Sequence, residues 1–82
     1  MNEKILESFR EILGNYLADV AKEKKLNNYK LEKLSGLPGH QIRTVLTGEK
    51  NYTIDTLVKL SYALGLEGEW LQKILTKAVK KG

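Results

Sequence analysis

Eighty-two residues suffice for one small domain with a modest core. The absence of cysteine removes disulfides, thiolate catalysis and cysteine-ligated zinc together. No signal-peptide pattern and no apolar run near the ~20 residues of a membrane span is present, so a cytoplasmic protein without membrane contact is expected. The net charge of +4 is localised: Lys22, Lys24, Lys25, Lys30, Lys33, Arg43 and Lys50 face only Glu23, Glu32 and Glu49 over positions 22–50, and the rest of the chain balances. Excess positive charge confined to one region suits a phosphate backbone as partner, the alternative being a solvated lysine surface.

In chain order, the spacing first predicts a long amphipathic helix over Glu3–Lys25. Ile5, Leu6, Phe9, Ile12, Leu13, Tyr16, Leu17 and Val20 recur at three- and four-residue steps. Gly14 is a weak point worth up to about 1 kcal/mol against Ala, but the apolar phase runs through it unchanged, so a continuous or gently kinked helix is expected. Asn27 and Asn28 are N-cap candidates for a short second helix carrying Leu31 and Leu34 as far as Ser35. Gly36 then permits a sharp turn.

The third predicted helix spans about Pro38 to Thr47, with Pro38 at its first position and Gly48 just past its end. Its faces differ: Ile42, Val45 and Leu46 cluster on one, and His40, Arg43, Thr44 and Thr47 form a polar stripe opposite. Two short helices around such a turn make a helix-turn-helix signature. A fourth helix is predicted from Ile54 to Leu64, capped by Thr53, stopped by Gly65 and turning Ile54, Leu57, Val58 and Leu64 inward. Ser61 falls among these apolar positions, and its hydroxyl is expected to bond a carbonyl one turn back. From Glu67 or Gly68 to about Lys80 a fifth helix carries Trp70, Leu71, Ile74, Leu75, Ala78 and Val79. That stripe is long for the end of so small a domain.

Leu31, the Gly36–Leu37 turn, Ile42, Val45, Gly48 before Lys50–Asn51, and Thr56–Leu57 followed by Ala63–Leu64–Gly65–Leu66 stand in one register over positions 28–66. In this the chain resembles the phage lambda repressor and Cro-type regulators, the XRE family. The resemblance implies an all-α, compact five-helix lambda-repressor-like domain spanning 1–82, with a helix-turn-helix at 28–48, an N-terminal helical extension at 1–13 and a C-terminal helix at 67–80. It also implies a small transcriptional regulator, most often a repressor, that reads double-stranded DNA by major-groove insertion of the third helix.

Transferred by position, the base-contacting residues are Gly39, His40, Gln41, Arg43 and Thr44. Arg43 is the one expected to discriminate, because a guanidinium can bond O6 and N7 of one guanine. Asn27, Asn28 and Lys30 at the start of the second helix, and Thr47, Lys50, Asn51 and Tyr52 after the third, are expected at phosphates. The pattern has departures. A buried Arg–Glu pair common in the family is replaced by Ala21 and Leu46, which leaves no stranded charge. Glu32 stands where Ala is preferred, Tyr52 replaces a frequent Pro, and Gly39 replaces a side chain that commonly touches a base.

His40 is the lone histidine, and the carboxylates show no paired spacing on one face, so no metal, cofactor or enzymatic role is expected. Tyr29, Tyr52 and Tyr62 form no stacking platform and are expected in core or rim packing. One module covers little DNA, and relatives pair on palindromes. A homodimer through Ile5, Phe9, Trp70, Leu71, Ile74 and Leu75 is therefore expected, the alternative being that the first and fifth helices merely cover each other. Two other functions fit the residues: an antitoxin that masks a toxin while controlling its own operator, and a protein-interaction module on the same scaffold without DNA binding.

Overall fold

The computed structural model describes residues 3–49 and 53–81. Five helices follow in order: α1 (Glu3–Glu23), α2 (Asn28–Ser35), α3 (Gly39–Leu46), α4 (Ile54–Ala63) and α5 (Trp70–Lys81), and no strand occurs among the described residues. None of these helices is long and apolar enough to cross a membrane. The compact all-helical arrangement has one core, in which Leu13 and Leu17 of α1 meet Leu31, Ile42, Val45, Leu60, Leu64 and Ile74. Every helix therefore contributes to a single buried cluster, as a chain of this size requires.

α1 runs unbroken through Gly14, and the reason is steric. A Cβ placed there would lie 2.8 Å from the Val45 carbonyl oxygen and 3.0 Å from both the Leu46 oxygen and the Gly48 nitrogen. The residue that weakens the helix is the one that lets the end of α3 rest directly on it. Gly48, at φ +76°, completes the crossing from the other side, where its own Cβ would stand 3.4 Å from the Arg10 oxygen.

Three helices end alike. The amides of Leu26, Glu49 and Leu66 donate to Ala21, Thr44 and Ser61 respectively, each five residues back, around a left-handed residue. This is the Schellman arrangement. Gly48 and Gly65 supply that residue after α3 and α4, but after α1 it is Lys25, at φ +58°.

Several boundaries and faces differ from the sequence-based expectation. α1 stops at Glu23, two residues early, because Lys25 turns left-handed. Pro38 is the N-cap of α3 and not its first helical residue, since its ψ of 148° is extended; its carbonyl still accepts from the amides of Gln41 and Ile42. α5 begins only at Trp70, because Gly68 has φ +84°.

α4 is rotated from its expected phase. Ile54 and Val58 lie outward, 75% and 60% exposed, whereas Leu57 and Leu64 meet the core as expected and Thr56, Leu60 and Ser61 are buried beside them. Thr56 tolerates this burial because its hydroxyl lies 3.2 Å from that of Thr53 and donates to Gln41 Oε1 at 3.4 Å. Ser61 does not make the expected bond one turn back; its Oγ is buried and without a partner among the described residues. Tyr62, expected in core or rim packing, is 82% exposed. Tyr29 is exposed too, with the Lys33 ammonium 5.2 Å above its ring.

α5 lies along α1, so these two helices do cover each other in part. The Tyr16 and Trp70 rings stack at 5.8 Å with planes 7° apart. Ile74 and Ala78 are buried beneath α5, whereas Leu71, Leu75 and Val79 on its outer side remain exposed. Ile74 is consequently unavailable to a partner chain, and Trp70 is largely committed within the fold.

Candidate functional site

The site is built on α3. Ile42 and Val45 are fully buried, which anchors one side of the helix to the core and fixes its rotation. With that side held, His40 and Arg43 stand exposed and Thr44 half-exposed on the other. Thr44 Oγ1 donates to the His40 carbonyl at 2.9 Å and Thr47 Oγ1 to the Arg43 carbonyl at 2.8 Å. The Thr44 hydroxyl proton is thereby spent within the helix, so Thr44 presents outward an acceptor and a methyl group. Thr47 Oγ1 also lies 3.2 Å from Glu49 Oε2.

Entry into α3 is set by the turn before it. Gly36 caps α2 at φ +75°, and its amide donates to the Glu32 carbonyl. The Ser35 hydroxyl donates to the Leu31 carbonyl and accepts from the Leu37 amide at 3.1 Å, and Leu37 is buried. Ser35, Gly36 and Leu37 are thus tied in place by local bonds.

At the front of α2 the cap is Asn27, whose side chain accepts from the Lys30 amide at 2.9 Å. Asn28 is the first residue inside the helix and is exposed, as is Lys30. The expected phosphate group at this end is therefore divided in function: Asn27 orders the helix start, and Asn28 and Lys30 remain on the surface.

Two departures noted in the sequence are one feature in space. Glu32 leans over the start of α3, so that a Cβ on Gly39 would lie 3.1 Å from its Oε1 and 3.3 Å from its Cδ. The space left by a missing side chain at position 39 is taken by a longer one from position 32. A carboxylate at this end of α3 is also favoured by the helix dipole.

α3 and the first turns of α4 enclose a cleft lined by His40, Gln41 and Thr44 on one side and by Thr53, Asp55 and Lys59 on the other. Gln41 is half-buried, with its Oε1 accepting from Thr56, so it lies within the cleft and is not freely presented. Asp55 and Lys59 are site residues that the sequence reading passed over. The signal that could have found them is the phase of α4: once Thr56 and Leu60 face inward, positions 55 and 59 border α3. Thr53 caps α4 by accepting from the Thr56 amide at 3.2 Å. Lys50, Asn51 and Tyr52, expected at phosphates, lie outside the described residues.

The exposed cations of the basic region do not all stay free. Lys24 Nζ donates to the Leu64 carbonyl at 2.7 Å, closing the end of α4. Lys30 Nζ lies 3.5 Å from the Lys25 carbonyl on the exposed surface, and Arg43 is exposed on α3. Among the described residues no group of His, Asp or Glu could hold a metal ion. Comparison with family models, with curated proteins and with solved structures finds no match for this chain.

Proposed function

We propose that the chain is a lambda-repressor-like, sequence-specific binder of double-stranded DNA, with α3 as the major-groove helix and transcriptional regulation, most simply repression at a palindromic operator by a homodimer, as its role. The observation that carries this reading is the amphipathic placement of α3. Its apolar side is fully buried, and His40, Arg43 and Thr44 are left on an uncovered side next to the chain's excess of positive charge. A short helix held this way matches the dimensions of a major groove.

In this reading Arg43 donates to a guanine edge and Thr44 accepts from an adenine or cytosine amino group, since its own proton is engaged. Gln41, tethered by Thr56, offers its amide N–H groups from a fixed position. Asp55 and Lys59 give the cleft between α3 and α4 one charge of each sign, and Lys30 with the free amides at the start of α2 supplies backbone contacts on the α2 side.

The test is selection of bound sites from a random duplex pool, followed by Arg43→Ala on the selected site. The wild-type chain is expected to enrich one sequence. The variant is expected to lose ~10- to 100-fold on that site, equivalent to about 1–3 kcal/mol, while retaining weak, salt-sensitive binding to any duplex. An Arg43→Ala protein with an unchanged preference removes α3 as the reading element, and a pool that yields no enrichment removes the function.

A further inference from the structure

The rotation of α4 leaves a feature that reading DNA does not use. Ile54, Val58 and Tyr62 form an i, i+4, i+8 stripe on its outer side, and Leu71, Leu75 and Val79 form the same stripe on α5. The two are continuous. A groove of about 280 Å³ between the helices is bordered by Val58, Tyr62 and Leu71, and a second hollow is lined wholly by Leu6, Phe9, Leu71 and Leu75. No charged side chain lines either hollow.

We infer that this face, running from α4 across α5 to Leu6 and Phe9 of α1, is where a second copy of the chain docks, with Tyr62 of each copy entering the groove of the other. Three observations select a second copy as the occupant. The first is area: the six stripe residues are 40–82% exposed, on the order of 600 Å² together, against about 800 Å² per partner in a standard interface. That equals roughly a tenth of the 5704 Å² surface of the chain, the share such interfaces take.

The second is self-complementarity. A two-fold interface sets one patch against itself, so a single face must carry both a projection and a recess. Tyr62, 82% exposed, is the projection, and the groove beside it is the recess. Ser61 Oγ, buried on the edge of that groove without a partner among the described residues, is the polar group that an entering tyrosine hydroxyl would satisfy.

The third is charge. The excess of the +4 chain lies at positions 22–50, and Lys73 and Lys77 fall on the far side of α5, where they line a separate hollow with Glu69; Lys80 reaches the edge of the face, beside Leu75 and Val79. Two copies can therefore meet through the centre of this face, around Val58, Tyr62 and Leu71, with Lys80 left at the solvent-exposed rim. Asp55 and Lys59 mark the side of α4 turned to α3, so docking through Ile54, Val58 and Tyr62 leaves both copies of α3 uncovered.

This deepens the dimer of the proposed function, and its biological use rests on that reading, but the contact itself does not require DNA. The experiment is sedimentation equilibrium on the full chain from ~1 μM to ~1 mM. The mass is expected to rise from the 9.3 kDa of one chain toward that of two. Tyr62→Ala and Val58→Glu, both at exposed positions, are expected to keep the helical circular dichroism and the melting temperature of the dilute chain while weakening self-association at least ~10-fold. Arg43→Ala is expected to leave it unchanged, which separates this outcome from loss of DNA recognition.

A chain that stays at the mass of one copy throughout overturns the inference. So does a dimer indifferent to both variants, or a monomer that uses the same face for a different protein.

Discussion

At the scale of single residues, Gly14 shows how a position can be unfavourable for its own helix and necessary for its neighbour. Alanine there would gain up to about 1 kcal/mol of helix propensity. The added methyl would, however, meet three backbone atoms of the α3 terminus at 3.0 Å or less, and backbone cannot move aside as a side chain can. Overpacking of this kind costs about 1–3 kcal/mol. Gly14→Ala is expected to lower stability by a net ~1–2 kcal/mol in urea unfolding and, by pushing α3 outward, to weaken DNA binding as well. Gly39 is the contrasting case. The atoms a methyl would meet belong to the flexible end of Glu32, so the same substitution should be nearly neutral for stability.

At the scale of elements, the helices are closed by a repeated device whose quality differs. α3 and α4 use glycine as the left-handed residue of the Schellman turn, but α1 uses Lys25. A β-carbon in that conformation costs roughly 1 kcal/mol. Lys25→Gly is accordingly expected to stabilise the fold by about 0.5–1 kcal/mol, seen as a higher midpoint in chemical unfolding without change in its slope; a destabilised variant would show that the Lys25 side chain contributes more than its exposure suggests. α4 illustrates a different point. Its sequence is apolar on more than one face, so periodicity alone does not determine which face turns inward. Burying Thr56 and Ser61 while exposing Ile54 and Val58 is a choice made by packing against α2 and α3, where Thr53 and Gln41 can satisfy the Thr56 hydroxyl.

At the scale of the whole molecule, the two sides of α4 differ in character: one borders α3, the other is apolar and exposed. The basic region also predicts how binding should respond to salt. With Lys24 engaged on the Leu64 carbonyl, six of the seven cations at positions 22–50 remain for phosphates in the proposed complex, which corresponds to a loss of about 10³-fold in affinity between 50 and 200 mM salt if all six are used. Binding measured across that range should show this slope, whereas a salt-independent affinity would mean that the positive charge has another purpose.

What the sequence determined by itself is what local chemistry controls. The five helices, their approximate spans, the positive-φ glycines at 36, 48 and 65, and the burial of Ile42 and Val45 opposite His40 and Arg43 all follow from short-range spacing and steric rules. What only the tertiary structure decided depends on atoms far apart in the chain. The contact of Gly14 with Val45, the seating of Glu32 over Gly39, the rotation of α4, and the division of the α5 stripe into a buried and an exposed half belong to this class. A periodic pattern marks that a helix has an apolar side, but its neighbours set how much of that side is covered.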